Sequence, residues 1–180
     1  MKKKKKIFFI VLALVIAAGV TVFFLLKNGK AEKKKTYEKG SVEAESEIVI
    51  NKWLKAISEE NTDEFIQCCY TDSLLNLHAE LTGLDMESFK QYIKYVYVVG
   101  GFEFRNVEIQ KKSRLDEDAY YKINSMLGEK DRIEGMYSIT FTYDIRYDDE
   151  WTTVEETCGV FMIKGQCYID NLSDSTIYDK

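Results

Sequence analysis

The chain has 180 residues, with 25 Lys and Arg against 30 Asp and Glu, four cysteines, one histidine and no proline. Residues 1–39 hold 11 basic and 2 acidic side chains, a net of +9, while residues 40–180 hold 14 and 28, a net of −14; together they make the −5 of the whole. A folded part this acidic repels nucleic acid and teichoic or phospholipid phosphates, which excludes a nucleic-acid partner, and a lone histidine without any Cys-x-x-Cys spacing argues against zinc.

The first element is a run of 20 uncharged residues, Ile7 to Leu26, fenced by lysines on both sides. As a helix rising about 1.5 Å per residue it spans roughly 30 Å, the thickness of a bilayer hydrocarbon core. Its only polar side chain, Thr21, can bond back to a helix carbonyl. A cleaved signal peptide is the rival reading. Lys2 to Lys6 suit its basic start and Gly29-Lys30-Ala31 is a small-x-small triplet, but the apolar core of such a peptide typically runs only about 7–15 residues. The pattern therefore predicts an uncleaved transmembrane helix. No cysteine precedes Cys68, so no lipid-modified cysteine lies near the run.

Six lysines, from Lys27 to Lys39, follow the span, so the flanking charges come close to a tie. Five consecutive lysines are hard to translocate, whereas a following domain crosses regardless of its charge. The expected arrangement is a cytoplasmic basic head at 1–6, the membrane helix at 7–26, a basic linker at 27–40 and an extracytoplasmic domain at 41–180. The linker either meets anionic lipid head groups or serves as a solvated spacer that stops translocation slippage.

The domain's length suits one core, and no Gly/Ser tract marks a second boundary. Ser41 to Glu60 reads as a helix, with Ile48, Val49, Trp53, Leu54 and Ile57 near 3.6-residue spacing. Asn61 caps a second helix, with Glu64 three residues on as in a capping box; Phe65, Ile66, Cys68 and Cys69 supply its buried side. Thr71 or Asp72 caps a third, carrying Leu74, Leu75 and Leu77 and ending near Gly83. Asp85 opens a fourth with Phe89, Tyr92, Ile93 and Val96 inward, stopped by Gly100-Gly101.

Then the period changes. Phe102 to Lys111 reads as a strand, and 116–127 as a short helix capped by Asp116. Tyr137, Ile139, Phe141, Tyr143, Ile145 and Tyr147 alternate with Ser138, Thr140, Thr142, Asp144 and Arg146, a half-buried strand. Asp148-Asp149-Glu150 is a turn, Trp151 to Ile163 the returning strand, and Gln166 to Asn171 pairs with it across Lys164-Gly165. Consecutive strands form an antiparallel meander with the helices on one face, the α+β class.

In that hairpin Met162 faces Cys167, which puts Cys158 four residues, roughly 13 Å, from Cys167's partner. A disulfide needs Cα atoms within about 7 Å, so these two do not bond to each other. A helix–strand disulfide and buried free thiols behaving as small apolar groups stay open.

The order of elements, with the passage Trp53-Leu54-Lys55-Ala56-Ile57-Ser58-Glu59-Glu60-Asn61-Thr62-Asp63-Glu64-Phe65, resembles the nuclear transport factor two-like superfamily. This superfamily includes ketosteroid isomerase and many small envelope-anchored bacterial domains. Its members open with a helix ending in an A-I-x-x-x-D-x-x-x-F-like passage and close with a curved antiparallel sheet. The resemblance covers roughly residues 42–172 and implies a cone-like domain, N-terminal helices packed on a curved sheet around a pocket. Asn61-Thr62-Asp63 stands where a Gly-Asp type turn is expected. None of the isomerase's catalytic residues maps onto a position here, so none is carried over.

The residues themselves point to little chemistry. His78, in Leu74-Leu75-Asn76-Leu77-His78, has no serine, cysteine or carboxylate at a diagnostic spacing and reads as a surface or helix-terminal histidine. Asp144 and Arg146 share the strand face opposite the aromatic stripe and read as a solvated outer face. Tyr92, Tyr95, Tyr137 and Tyr143 are the candidates to line a pocket with phenol hydroxyls, ordinary packing being the alternative. The carboxylates of 116–118 and 148–150 lack calcium-loop spacing, and Glu155-Glu156 point to opposite strand faces. No phosphate-binding glycine loop, nucleophile elbow or metalloprotease helix occurs.

The expectation is a single-pass envelope protein, not an enzyme, with a binding or assembly module and without cofactor or metal. Its partners would be the lipid bilayer and an envelope protein or small ligand. The alternatives are an anchored small-molecule enzyme with an isomerase-like pocket, which would need a deep pocket holding a buried carboxylate of raised pKa beside a tyrosine hydroxyl and fails if side chains fill the cone, and a structural subunit of a membrane complex.

Overall fold

The computed structural model describes residues 35–171; the expected membrane helix at 7–26 lies outside them. Among the described residues no helix is long and apolar enough to cross a membrane. The architecture is α+β: four helices, α1 (Val42–Ser58), α2 (Thr62–Cys69), α3 (Asp72–Thr82) and α4 (Met86–Tyr97), precede a long strand β1 (Glu103–Arg114). A short helix α5 (Asp118–Met126) and a 3-10 turn (Glu129–Asp131) lead to β2 (Gly135–Arg146), β3 (Trp151–Ile163) and β4 (Gln166–Ile169). The sheet is an open antiparallel meander in the order β1-β2-β3-β4.

The helix starts follow the sequence. Ser41 Oγ accepts from the Ala44 N–H at 3.2 Å, Asn61 Oδ1 from Glu64 at 3.1 Å, Thr71 Oγ1 from Leu74 at 3.3 Å and Asp85 Oδ1 from Ser88 at 2.9 Å. Each side chain satisfies an otherwise orphaned N–H, a contribution of about 1 kcal/mol. Gly83 ends α3 in the left-handed conformation. Gly100 is required twice over: its φ is +60°, and a Cβ there would collide with the Glu60 side chain. The helix between β1 and β2 starts two residues later than its sequence implies; Glu117 stands at its cap without a capping bond, so Asp116 does not cap it.

α1 packs on α2, β1 and β4. Ile50, Leu74, Phe65, Phe89, Ile93, Ile139, Phe141 and Val160 are all within 1% of full burial, and each large apolar side chain removed from water contributes about 1.5–3 kcal/mol. Periodicity misplaced two positions. Ile48 is 50% exposed and Ile50 takes the core position, while Tyr92 on α4 is 41% exposed. The sheet's second face is not wholly solvated. Paired Met136 and Phe161 alternate onto it and are buried with Ile123, Leu127 and Ile133, under the β1–β2 connection whose α5 packs on β2. Asn124 fixes that connection with two bonds to the Ile133 backbone, donating to its carbonyl at 3.0 Å and accepting from its N–H at 2.7 Å.

Candidate functional site

Residues paired directly across antiparallel strands project to the same face. Ile139 pairs with Cys158, Phe141 with Glu156 and Tyr143 with Val154. Ile139, Phe141 and Tyr143 are buried, so the register carries Glu156 into the helix-covered row while Glu155 falls on the other face. Burial raises the Glu156 carboxyl above its ordinary value, and a hydrogen bond from the Tyr143 hydroxyl draws it partly back. Burial and the charge of Glu156 push the Tyr143 phenol far up and raise that of Tyr147 as well. Tyr147 leans on Phe102, ring centroids 5.8 Å apart. A carboxyl with a raised pKa beside a phenol donor can hold or exchange a proton with a bound oxygen or carbon acid.

Of the four tyrosines singled out as pocket candidates, the structure does not gather a set. Tyr143 is buried beside Glu156 and Tyr137 is half-buried on the same strand face, whereas Tyr92 and Tyr95 stand exposed on α4, Tyr95 at 76%. Glu156 is the residue that sequence reasoning left out. The signal was present: once Cys158 and Val160 are taken as inward, the period of two brings Glu156 with them. A second unspent group is the Trp53 indole on α1, whose buried Nε1–H has no acceptor among the described residues; an orphan donor costs about 1–3 kcal/mol.

His78 is not at the surface. It is 5% exposed, four residues after Leu74 on the buried side of α3, and it can be buried because Tyr70 supplies a partner. Asn171 Nδ2, which can only donate, reaches Tyr70 Oη at 3.1 Å. The Tyr70 proton is therefore free to go to His78 Nδ1, 3.0 Å away. That order makes Nδ1 the acceptor and leaves the ring N–H on Nε2. Phe89 closes the cluster edge-on, 4.9 Å from the His78 ring.

On the outer face Asp144 and Arg146 lie as expected, within a bonded network. Asp144 accepts from Arg105 Nε at 3.2 Å, Asn106 Nδ2 at 2.8 Å and Thr153 Oγ1 at 2.7 Å, and these donors hold its carboxyl below the usual range against the opposing effect of burial. Arg146 pairs with Glu103. The Arg105 guanidinium sits 4.0 Å from the centre of the Trp151 ring and that of Arg146 5.0 Å. Each charge is balanced by a neighbour.

All four cysteines are free thiols, and Met162 pairs with Cys167 as the hairpin requires. Burial pushes Cys68 and Cys167 up to about 11 and Cys69 and Cys158 further, which makes them poor nucleophiles. Cys68 and Cys167 line a cavity of about 240 Å³ between α1, α2 and β4, with Ile48, Lys52 and Tyr168. Among the described residues no cluster of three or more His, Cys, Asp or Glu is placed to hold a metal. No protein-family model matches the chain, and no curated protein matches it.

Proposed function

We propose that this chain is a single-pass membrane-anchored envelope protein whose extracytoplasmic domain is a binding or assembly module of the cone-like, nuclear transport factor two-like kind. The observation that carries the reading is the uncharged run Ile7 to Leu26 between lysine clusters, long enough for one bilayer crossing. Four capped helices followed by an open antiparallel meander support the cone-like part. The test is protease protection. In intact cells or spheroplasts, residues 41–180 are digested from outside while the chain resists alkaline carbonate extraction. A protected domain overturns the orientation, and release by carbonate overturns the anchor.

A second reading is favoured by one observation, the inward Glu156 carboxyl beside the Tyr143 hydroxyl. In it the domain is an anchored small-molecule enzyme that moves a proton on a carbonyl compound. Its test is exchange of solvent deuterium into the α-position of small ketones by the purified chain. Exchange lost in Glu156→Gln and reduced in Tyr143→Phe supports it, and no exchange above buffer rejects it.

A further inference from the structure

Resting on the anchored reading above, we infer that the free edge of β1, from Ile109 to Arg114, lies against the anionic head-group surface of the bilayer that holds the anchor. β1 is an end strand of the sheet, and the chain arriving from the linker is fastened to it. Tyr37 Oη donates to the Ile109 carbonyl at 2.9 Å, and Lys35 Nζ reaches the same carbonyl and Gln110 Oε1, both at 3.4 Å. Eight residues, 27–34, separate the apolar run from this attachment, and fully extended they reach at most about 28 Å. The fastened edge is thus the part of the domain that the tether holds nearest the lipid.

The charge at this place is opposite to that of the domain. Residues 109–114 carry Lys111, Lys112 and Arg114 and no acid, within a stretch 40–180 of net −14. Lys111 and Arg114 are exposed, as are Lys35 and Lys39 on the strap. Lys112 binds Glu43 at 2.8 Å; the other carboxylates near the edge are Glu47 and Glu108 beside Tyr37 and Asp116, Glu117 and Asp118, which follow Arg114 beyond the strand's end. The linker sequence adds Lys27, Lys30, Lys33 and Lys34. Head-group phosphates therefore attract this edge and repel the acidic remainder, and the two effects turn the domain the same way. The strand is also unsuited to pairing with another chain. Its register breaks between Arg105 and Glu108 and again between Ile109 and Lys111, and basic side chains line it, both of which discourage edge-to-edge addition.

The test uses the full chain reconstituted in phosphatidylcholine vesicles with and without phosphatidylglycerol, read by amide hydrogen exchange. Slower exchange of residues 35–39 and 109–114 only where phosphatidylglycerol is present, reversed by added salt, supports the docking. The Lys111→Gln/Arg114→Gln variant is expected to lower the docked-to-free ratio about fivefold per charge removed; the salt dependence of the unaltered chain needs no variant to fold. Equal exchange in both vesicles, from protein that still resists carbonate extraction, overturns the docking and leaves the anchor intact. Extraction by carbonate overturns both.

Discussion

Replacing Tyr70 with phenylalanine removes one oxygen and disturbs three residues. The ring stays, so the edge contact with Phe89, 6.3 Å between centroids, is retained. What goes is the hydroxyl that accepts from Asn171 and donates to His78 Nδ1. Asn171 is half-buried and finds water, so its loss is small. His78 is 5% exposed and Nδ1 loses the Tyr70 hydroxyl, at about 1–3 kcal/mol. For a domain of this size each kcal/mol lowers Tm by about 3–4 °C. The expected drop is roughly 3–12 °C in thermal unfolding followed by circular dichroism. Nitrogen-15 shifts of the imidazole read the other half of the argument: the unaltered protein shows His78 protonated on Nε2 with Nδ1 bare. A Tyr70→Phe protein that melts within a degree of the parent, or a His78 protonated on Nδ1, refutes the proton order assigned to the cluster.

Three further outcomes follow from the same geometry. The folded Glu156 carboxyl lies above its ordinary 4.5, so the folded state binds more protons than the unfolded one between those two values. The stability it contributes is full below the unfolded value and lost as pH rises through the folded one, and Glu156→Gln, which still accepts from Tyr143, is expected to abolish that slope and to be no less stable at neutral pH in denaturant titrations. The four thiols are expected to resist iodoacetamide in the native protein and to react together on unfolding, counted by mass spectrometry; rapid native labelling of Cys69 contradicts its burial. Gly100→Ala is expected to cost about 2–4 kcal/mol, combining a positive φ with a collision against Glu60, whereas Gly101→Ala, also at positive φ but facing open space, costs about 1–2 kcal/mol; equal losses refute the close contact.

Much of the fold was legible because its signals are local. Asn61, Thr71 and Asp85 each bond a backbone N–H three residues on, and such caps are readable from a four-residue window; Ser41, read as the first residue of its helix, is a cap of the same kind. The Lys164-Gly165 turn fixed the β3–β4 register, and with it the separation of Cys158 from Cys167. His78 was misread because its partner is set by how α3 meets the residue that ends α2, and Asn171 joins from the far end of the chain. No periodicity reports a contact of that kind. Ile48 was misread because the stripe that α1 buries against α2, β1 and β4 runs through Ser46, Val49, Ile50 and Leu54, and Ile48 and Ile50 have equal claims from hydropathy alone.

Glu156 shows how a site hides in a strand whose two faces are both in use. Val160, Phe161, Met162 and Ile163 form a continuous apolar run, because at that end the helices cover one face and the β1–β2 connection the other. The run erases the alternation that would say which face is inward. Only β2, alternating cleanly from Tyr137 to Ile145, restores it, and only through the pairing of Phe141 with Glu156. A polar residue carried inward by such a register costs desolvation, and here the protein returns a single phenol bond from Tyr143. An apolar residue at 156 would avoid that cost. Replacing both partners, Glu156→Leu with Tyr143→Phe, leaves no polar group of the pair orphaned and is therefore expected to stabilise the domain while any activity of the pair disappears, whereas Glu156→Leu alone strands the buried Tyr143 hydroxyl and gives back about 1–3 kcal/mol of that gain.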